Sequence, residues 1–144
     1  MSETRIESDH VTMPLTDHNN FVYIGIFYIG SPGGSDSECQ GEKQPIRMIL
    51  DTGSANSWVL SNKAVDEGDK DHQPFDPSKS CGSTFHEPAE EDKNYTRISF
   101  GSGYLNGYFV EDLVTIGNVK SEDPHNKLIL PEYTFGLVDE QTCF

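Results

Sequence analysis

Basic residues are scarce in this sequence. Its 144 residues include 10 lysines and arginines against 24 aspartates and glutamates, which gives a formal net charge of −14. A surface of that sign repels phosphate, and no basic, aromatic-rich patch interrupts it. The composition therefore argues against nucleic acid as a partner. We expect a solvated acidic surface, which favours solubility and loses part of its self-repulsion at low pH.

Apolar residues are also few, at 34% of the chain, and the mean hydropathy is −0.57. No apolar run approaches the length of a membrane span. Residues 1–20 lack the apolar segment of a signal peptide. The length suits one domain and is too short for two ordinary ones. We therefore expect a single domain with a modest core, long loops and no membrane span.

Cysteine and histidine patterns give no metal or cofactor site. The three cysteines are Cys39, Cys81 and Cys143, and no CxxC spacing occurs, which disfavours zinc or thioredoxin-type chemistry. The five histidines show no ligand-like spacing, and the acidic stretch 66–71 lacks the pattern of an EF-hand loop. Cys39 and Cys81 can form one disulfide, and three free thiols remain the alternative.

No helix of ordinary length is evident, and the periodic segments favour strands. The predicted strands cover 21–29, 45–50, 57–61 and 132–138. A predicted hairpin with a Gly-Ser-Gly tip covers 95–109, and its second arm continues to residue 117. Residues 74–80 are predicted to form a turn or a single helical turn. The predicted class is all-β with long loops, after a loosely held polar arm over residues 1–20.

One short motif carries the chemistry. The apolar strand over 45–50 leads directly into Asp51, Thr52 and Gly53, and the sequence continues as Ser-Ala-Asn-Ser-Trp up to Trp58. An isolated Asp-Thr-Gly is a weak signal, because many strands end in such a turn. The same tripeptide, followed by a tryptophan and then by a glycine-tipped hairpin about forty residues later, is a much rarer combination.

With those features in this order, the chain resembles the N-terminal lobe of a pepsin-like aspartic protease. Within that family it looks most similar to the plasmepsin-type enzymes of apicomplexan parasites. The resemblance runs from about residue 13 to residue 137 and includes the segments 28–32, 50–61, 75–80 and 135–137. It implies that residues 21–144 form part of the N-terminal lobe of a bilobal β-barrel fold. It also implies that the substrates are polypeptides. It also implies a secretory, vacuolar, lysosomal or extracellular compartment.

The resemblance implies a role for each residue of the motif and of the hairpin tip. Asp51 would be one of two catalytic aspartates, and Thr52, Gly53 and Ser54 would support its loop. The flap and substrate-binding residues would be Trp58, Phe100, Gly101, Ser102 and Gly103. Phe100 stands where the family usually has a tyrosine, so no hydroxyl can bond to the Trp58 indole. We therefore expect a looser or slower flap.

The chemistry of peptide hydrolysis requires a second acid. One carboxylate must activate water while another protonates the carbonyl oxygen. Two carboxylates about 3 Å apart repel by about 5 kcal/mol at an effective dielectric constant of about 20, so the pair retains one proton over a wide acidic range. No second Asp-Thr-Gly or Asp-Ser-Gly occurs here. We therefore expect an incomplete half, inactive alone, that lacks the lobe carrying the second aspartate.

The same incompleteness extends to the lobe itself. The family has an apolar-apolar-Gly strand that crosses behind the acid loop, and the sequence stops before it. We therefore expect the strand that carries Asp51 to lack a partner on one side.

Two alternatives remain open from the sequence. In a retropepsin-like protease two identical chains would each supply one Asp51, although the Ser-Ala-Asn-Ser-Trp continuation and the distant hairpin argue against that arrangement. In the other alternative, a single lobe serves as a catalytically inactive peptide-binding or inhibitory module. Phe100 and the missing partner acid allow this second alternative.

Overall fold

The structure is a computed structural model, and it describes residues 11–34, 38–53, 56–65, 73–85, 96–100 and 103–141. Eight strands run through these residues: β1 Leu15–His18, β2 Val22–Ile29, β3 Gln44–Ile49, β4 Trp58–Leu60, β5 Thr84–Phe85, β6 Thr96–Phe100, β7 Gly103–Gly117 and β8 Lys127–Gln141. Two short 3₁₀ turns, Pro77–Lys79 and Pro124–Asn126, are the only helical segments within the described ranges. The predicted all-β class is confirmed.

All eight strands belong to one open sheet. Its main path runs in the order β1, β2, β7, β8 and β4, while β3 pairs with β2, and both β5 and β6 pair with β7. The long strands β7 and β8 form an antiparallel ladder, and β4 adds to β8 in parallel. Because β7 contacts four other strands, it organises the sheet.

The strands predicted from composition lie close to those observed. The segments 21–29, 45–50 and 57–61 correspond to β2, β3 and β4. The predicted hairpin, with its second arm extended to residue 117, corresponds to β6 and β7. The segment 132–138 lies within β8, which is longer at both ends. Its partner β7 explains the extra length, because the pairing extends from Leu105 opposite Gln141 to Gly117 opposite Lys127.

The expected polar arm over residues 1–20 differs from the structure near its end. Residues 15–18 form β1, antiparallel to β2, with Leu15 opposite Gly25 and His18 opposite Val22. All four side chains of β1 are exposed. Because neither face of β1 is buried, its sequence has no alternation of apolar and polar residues. The strand forms through main-chain pairing with β2. Residues 1–10 lie outside the described residues.

The core lies between the β7–β8 ladder and the elements packed on it. Its buried apolar side chains are Ile29, Ile46, Val59, Phe75, Val110, Val114, Phe135 and Leu137. The rings of Phe75 and Phe135 meet edge to face, with centroids 5.6 Å apart. The N–H of Phe75 donates to the Leu60 carbonyl at 2.8 Å, so the loop segment before the first 3₁₀ turn is anchored beside β4.

A disulfide joins the β2–β3 connection to the loop that follows the first 3₁₀ turn. Cys39 and Cys81 are bonded with an S–S distance of 2.01 Å. The N–H of Cys81 also donates to the Ser31 carbonyl at 3.0 Å. A Cβ added to Gly41 would lie 2.2 Å from that carbonyl oxygen, so only glycine fits there. The two loops therefore form one tightly packed unit.

Candidate active site

Asp51 stands immediately beyond the strand that was predicted to deliver it. β3 pairs with β2 from Gln44 to Ile49, and the N–H of Leu50 then donates to the Tyr23 carbonyl at 2.9 Å. The ladder thus continues to the residue before Asp51. The Asp51 side chain is exposed, and its Oδ1 accepts the N–H of Gly53 at 2.8 Å. This bond closes an Asx turn, which fixes the carboxylate at the end of the strand.

The neighbours of Asp51 in the motif have distinct positions. A Cβ added to Gly53 would lie 3.2 Å from Asp51 Oδ1, which is a tight contact. Glycine therefore allows the amide to approach the carboxylate. Thr52 is exposed. Ser54 lies outside the described residues, so its predicted support of the carboxylate remains a prediction.

The position of Trp58 depends on contacts with β8, because its own strand, β4, has only three residues. β4 runs parallel to β8 with Trp58 opposite Gly136, and the N–H of Gly136 donates to the Ser57 carbonyl at 2.9 Å. A Cβ added to Gly136 would lie 2.6 Å from Trp58 Cε3. The indole therefore packs directly on the glycine backbone, half-buried against the sheet.

Asp51 and Trp58 both line one cavity of about 620 Å³. Most of the lining is apolar: Phe27, Ile29, Met48, Ile49, Leu50, Val114, Ile116, Leu130 and Phe135. Its polar lining residues are Arg47, Asp51, Asn56, Ser57 and Tyr133. Asp51 is the only acid in this set. An exposed carboxylate beside an apolar cavity can accept a proton or orient water, but it cannot also supply a second acid.

The cavity borders the outer edge of β3. Among the described strands, β3 pairs with β2 alone, so its other edge has no strand partner. Ile49 and Leu50, next to Asp51, are 64% and 38% exposed. This geometry agrees with the expectation that the strand carrying the acid lacks a neighbour on one side.

Sequence reasoning missed a polar pair in the cavity wall. The Ser57 hydroxyl and the Tyr133 hydroxyl lie 2.8 Å apart, which ties the segment before β4 to β8. It also missed the contact between Trp58 and Gly136. A signal for that contact was available, because a glycine inside a strand often marks the close approach of another group. No signal in the sequence indicated the Ser57–Tyr133 pair.

The predicted flap is a hairpin with a short connection. β6 and β7 pair from Thr96 opposite Gly107 to Phe100 opposite Gly103. The tip residues Gly101 and Ser102 lie outside the described residues. Among the described residues, none from 96 to 109 lines the cavity. The structure thus brings Asp51 and Trp58 to one cavity, while the placement of the hairpin over Asp51 remains a prediction.

Within the described ranges no metal centre or membrane-spanning helix is found. No group of three or more histidine, cysteine, aspartate or glutamate side chains there could hold a metal ion. Likewise, no helix in the described part of the chain is long and apolar enough to cross a membrane.

Comparison with known proteins identifies the family. The eukaryotic aspartyl protease family model matches residues 23–141, and the chain belongs to that family. Its fold is that of an incomplete pepsin-like N-terminal lobe. The resemblance drawn from the motif is therefore confirmed.

Several relatives show how much of the family this chain spans. It is 33% identical to pregnancy-associated glycoprotein 2 of Bos taurus over 85% of this chain and 28% of that protein. It is 32% identical to chymosin of Camelus dromedarius over 89% of this chain and 27% of that protein. Plasmepsin IV of Plasmodium falciparum is 32% identical over 78% of this chain and 21% of that protein. The chain thus spans about a quarter of the length of these relatives.

Proposed function

We propose that this chain supplies one half of the active site of an aspartic endopeptidase. Asp51 is one of two carboxylates that share a proton and activate water for attack on a peptide bond. The second carboxylate comes from a C-terminal lobe that is not part of these 144 residues. The chain alone is therefore inactive.

The observation that carries this proposal is the setting of Asp51. Its carboxylate is held by the Gly53 amide at the end of β3, and it faces a cavity to which no other acid among the described residues contributes. Asp112, a further acid in the sheet, does not line the cavity and is only 1% exposed. Its oxygens already accept from the Leu113 N–H and the Ser83 hydroxyl. Hence the described residues offer no second acid at this cavity, which supports a partner acid supplied by the other lobe.

The proposed roles follow from the chemistry of a shared proton. The ionised carboxylate takes a proton from water while the protonated one donates to the carbonyl oxygen, and their mutual repulsion keeps one proton on the pair. Gly53 steadies the Asp51 carboxylate by donating its N–H. Thr52 and Ser54 complete the loop. Trp58 backs the hairpin, and Phe100 covers the bound peptide with Gly101, Ser102 and Gly103.

The test is proteolysis of a denatured protein at acid pH by the longest product translated from the natural transcript. Asp51→Asn leaves a single carboxylate, which cannot act as base and as acid at once, so we expect kcat to fall at least about 100-fold. The matched control is Asp17→Asn, at an exposed aspartate in β1. Activity of Asp51→Asn equal to that of Asp17→Asn would contradict the proposal. An inactive wild-type product would favour the peptide-binding module instead.

The homodimeric alternative has one observation in its favour. Ile49 and Leu50 are exposed beside Asp51 and need an apolar partner, which a second copy can provide. Sedimentation of the 144-residue chain with a pepstatin-type inhibitor separates the two arrangements. Our proposal expects no inhibitor-dependent dimer, and dimers that form only with inhibitor would establish the homodimer.

A further inference from the structure

Three residues that lie opposite one another on adjacent strands form a row across the base of the hairpin. Arg97 on β6 is opposite Asn106 on β7, and Asn106 is opposite Glu140 on β8. Side chains of directly opposed residues project from the same face of a sheet. The row thus places a cation, an amide and an anion side by side.

The hydrogen bonds in this row all run in one direction. Arg97 Nε donates to Asn106 Oδ1 at 3.0 Å, and Asn106 Nδ2 donates to Glu140 Oε2 at 2.9 Å. Asn106 is buried, with 8% of the residue exposed, so an unpaired donor or acceptor on its amide would be costly. The amide therefore has its oxygen toward the cation and its nitrogen toward the anion, so its dipole is aligned favourably with both charges.

A second contact restricts Arg97. Its guanidinium carbon lies 4.1 Å from the centroid of the Tyr104 ring, which is a cation–π contact. Tyr104 belongs to β7 near the tip of the hairpin, two residues before Asn106. Arg97 is therefore held both by the ring and by the amide, even though its side chain is exposed.

The row lies where the hairpin leaves the body of the sheet. Among the described strands, β6 pairs with β7 alone. The pairing of β7 with β8 shifts register between Asn106 and Gly107, so the ladder is irregular at this point. A Cβ on Gly107 would lie 2.2 Å from the Leu137 carbonyl oxygen, which shows how closely β7 approaches β8 there. Through the row, β6 is tied to β8 across this irregularity.

We propose that Arg97, Asn106 and Glu140 form a clamp that sets the angle of the hairpin relative to β8. They are positioning residues, because they act through the hairpin and not on a substrate. The consequence for a bound peptide rests on the proposed function, whereas the clamp itself does not.

The amide at the centre permits a sharp test, because its oxygen and nitrogen can exchange places by rotation of the side chain. The two hydrogen bonds can therefore form with the cation on β6 and the anion on β8, or with these two charges exchanged. Arg97→Glu alone places two carboxylates beside one amide, and Glu140→Arg alone places two cations there. The double variant restores one charge of each sign. A role limited to packing would not produce such a recovery.

The measurement is amide hydrogen exchange at residues 97–105 in the 144-residue chain. We expect each single variant to exchange about tenfold faster than the wild type there, and the double variant to return to within about threefold. Glu132→Arg is the matched control, because it makes the same charge change at an exposed position of β8 outside the row. Exchange in this control should stay at the wild-type rate.

A gentler pair of variants covers the event that a charge reversal prevents folding. Glu140→Gln keeps an oxygen that accepts from Asn106 and should retain wild-type exchange, whereas Glu140→Leu removes the acceptor and should not. The clamp is overturned if the double variant exchanges as fast as its singles, or if Glu140→Leu matches Glu140→Gln. Since no substrate is involved, these results leave the Asp51 proposal standing. A failed Asp51→Asn test equally leaves the clamp standing.

Discussion

Gly136 shapes the site by having no side chain. The Trp58 indole packs on its backbone, and this contact fixes the ring at the wall of the cavity that Asp51 also lines. The glycine lies in the middle of β8, where such a residue ordinarily weakens a strand. Its value here is the close approach that it permits.

The first prediction concerns this contact. Gly136→Ala places a methyl group 2.6 Å from Trp58 Cε3, so either the ring or β8 must move. We expect a loss of about 1–3 kcal/mol in the free energy of unfolding, as for other overpacked sites. Urea unfolding measures that loss. Trp58 is the only tryptophan, so its emission reports the movement of the ring directly.

The control for this variant is Gly34→Ala, because a Cβ added at Gly34 would meet no atom within 4 Å. Gly34→Ala should leave the urea midpoint and the emission spectrum unchanged. Equal effects of the two substitutions would show that Trp58 does not depend on Gly136.

At the scale of elements, the disulfide is the main long-range constraint on the loops. It joins the β2–β3 connection to the segment after the first 3₁₀ turn, over a sequence separation of 42 residues. Closing a loop of this length restricts the unfolded chain considerably. The hydrogen bond from the Cys81 N–H to the Ser31 carbonyl lies beside the disulfide. The loops are therefore ordered around a covalent link.

Our second prediction is that Cys39→Ser lowers the free energy of unfolding by about 2–5 kcal/mol. The loss follows from the greater freedom of the unfolded chain once the link is absent. Urea unfolding under oxidising conditions measures it. Cys143→Ser is the control, since Cys143 is not part of this disulfide. If the two variants unfold at the same urea concentration, the disulfide does not stabilise the fold.

The sequence predicted the elements whose signals are local. β2 is rich in aromatic and β-branched residues, and the apolar end of β3 leads directly into the turn motif at Asp51. β1 had no such signal, because its four exposed side chains show no alternation. The ends of β8 were missed because they depend on pairing with β7.

The residues of the candidate site also fall into those with a local sequence signal and those without one. Asp51 and Trp58 were predicted from their motif, and the structure places both at one cavity. The Ser57–Tyr133 pair joins residues 76 positions apart, and the clamp residue Glu140 lies 34 positions from Asn106. Such pairs are created by the register of distant strands. Register depends on the whole sheet, so a short sequence pattern does not reveal it.

At the scale of the whole molecule, a net charge of −14 is carried by a chain with few apolar residues to stabilise its fold. Like charges distributed over a compact surface repel one another and reduce the stability of the folded state. An ion pair joins Lys63 and Asp139 at 4.0 Å, and the Lys63 side chain is 70% exposed. Solvent and salt screen part of this repulsion.

The third prediction is that salt stabilises the chain at neutral pH. Raising sodium chloride from about 10 mM to about 150 mM shortens the screening length from about 30 Å to about 8 Å. We expect the urea midpoint to rise with this change, because the folded state loses more repulsion than the unfolded state. The same titration near pH 4.5, close to the isoelectric point, should show a smaller rise. A midpoint that falls with salt at neutral pH would refute this explanation.

The outer edge of β3 has a consequence for handling the protein. An edge strand without a neighbour is a template on which other chains can align, and repeated alignment builds amyloid-like fibrils. Pro45 and Arg47, both exposed on β3, hinder such growth, and the negative surface keeps molecules apart. That electrostatic protection disappears near pH 4.5, in the acid range where the proposed reaction runs. In the complete protease that we propose, a strand paired with this edge would protect the lobe from such alignment.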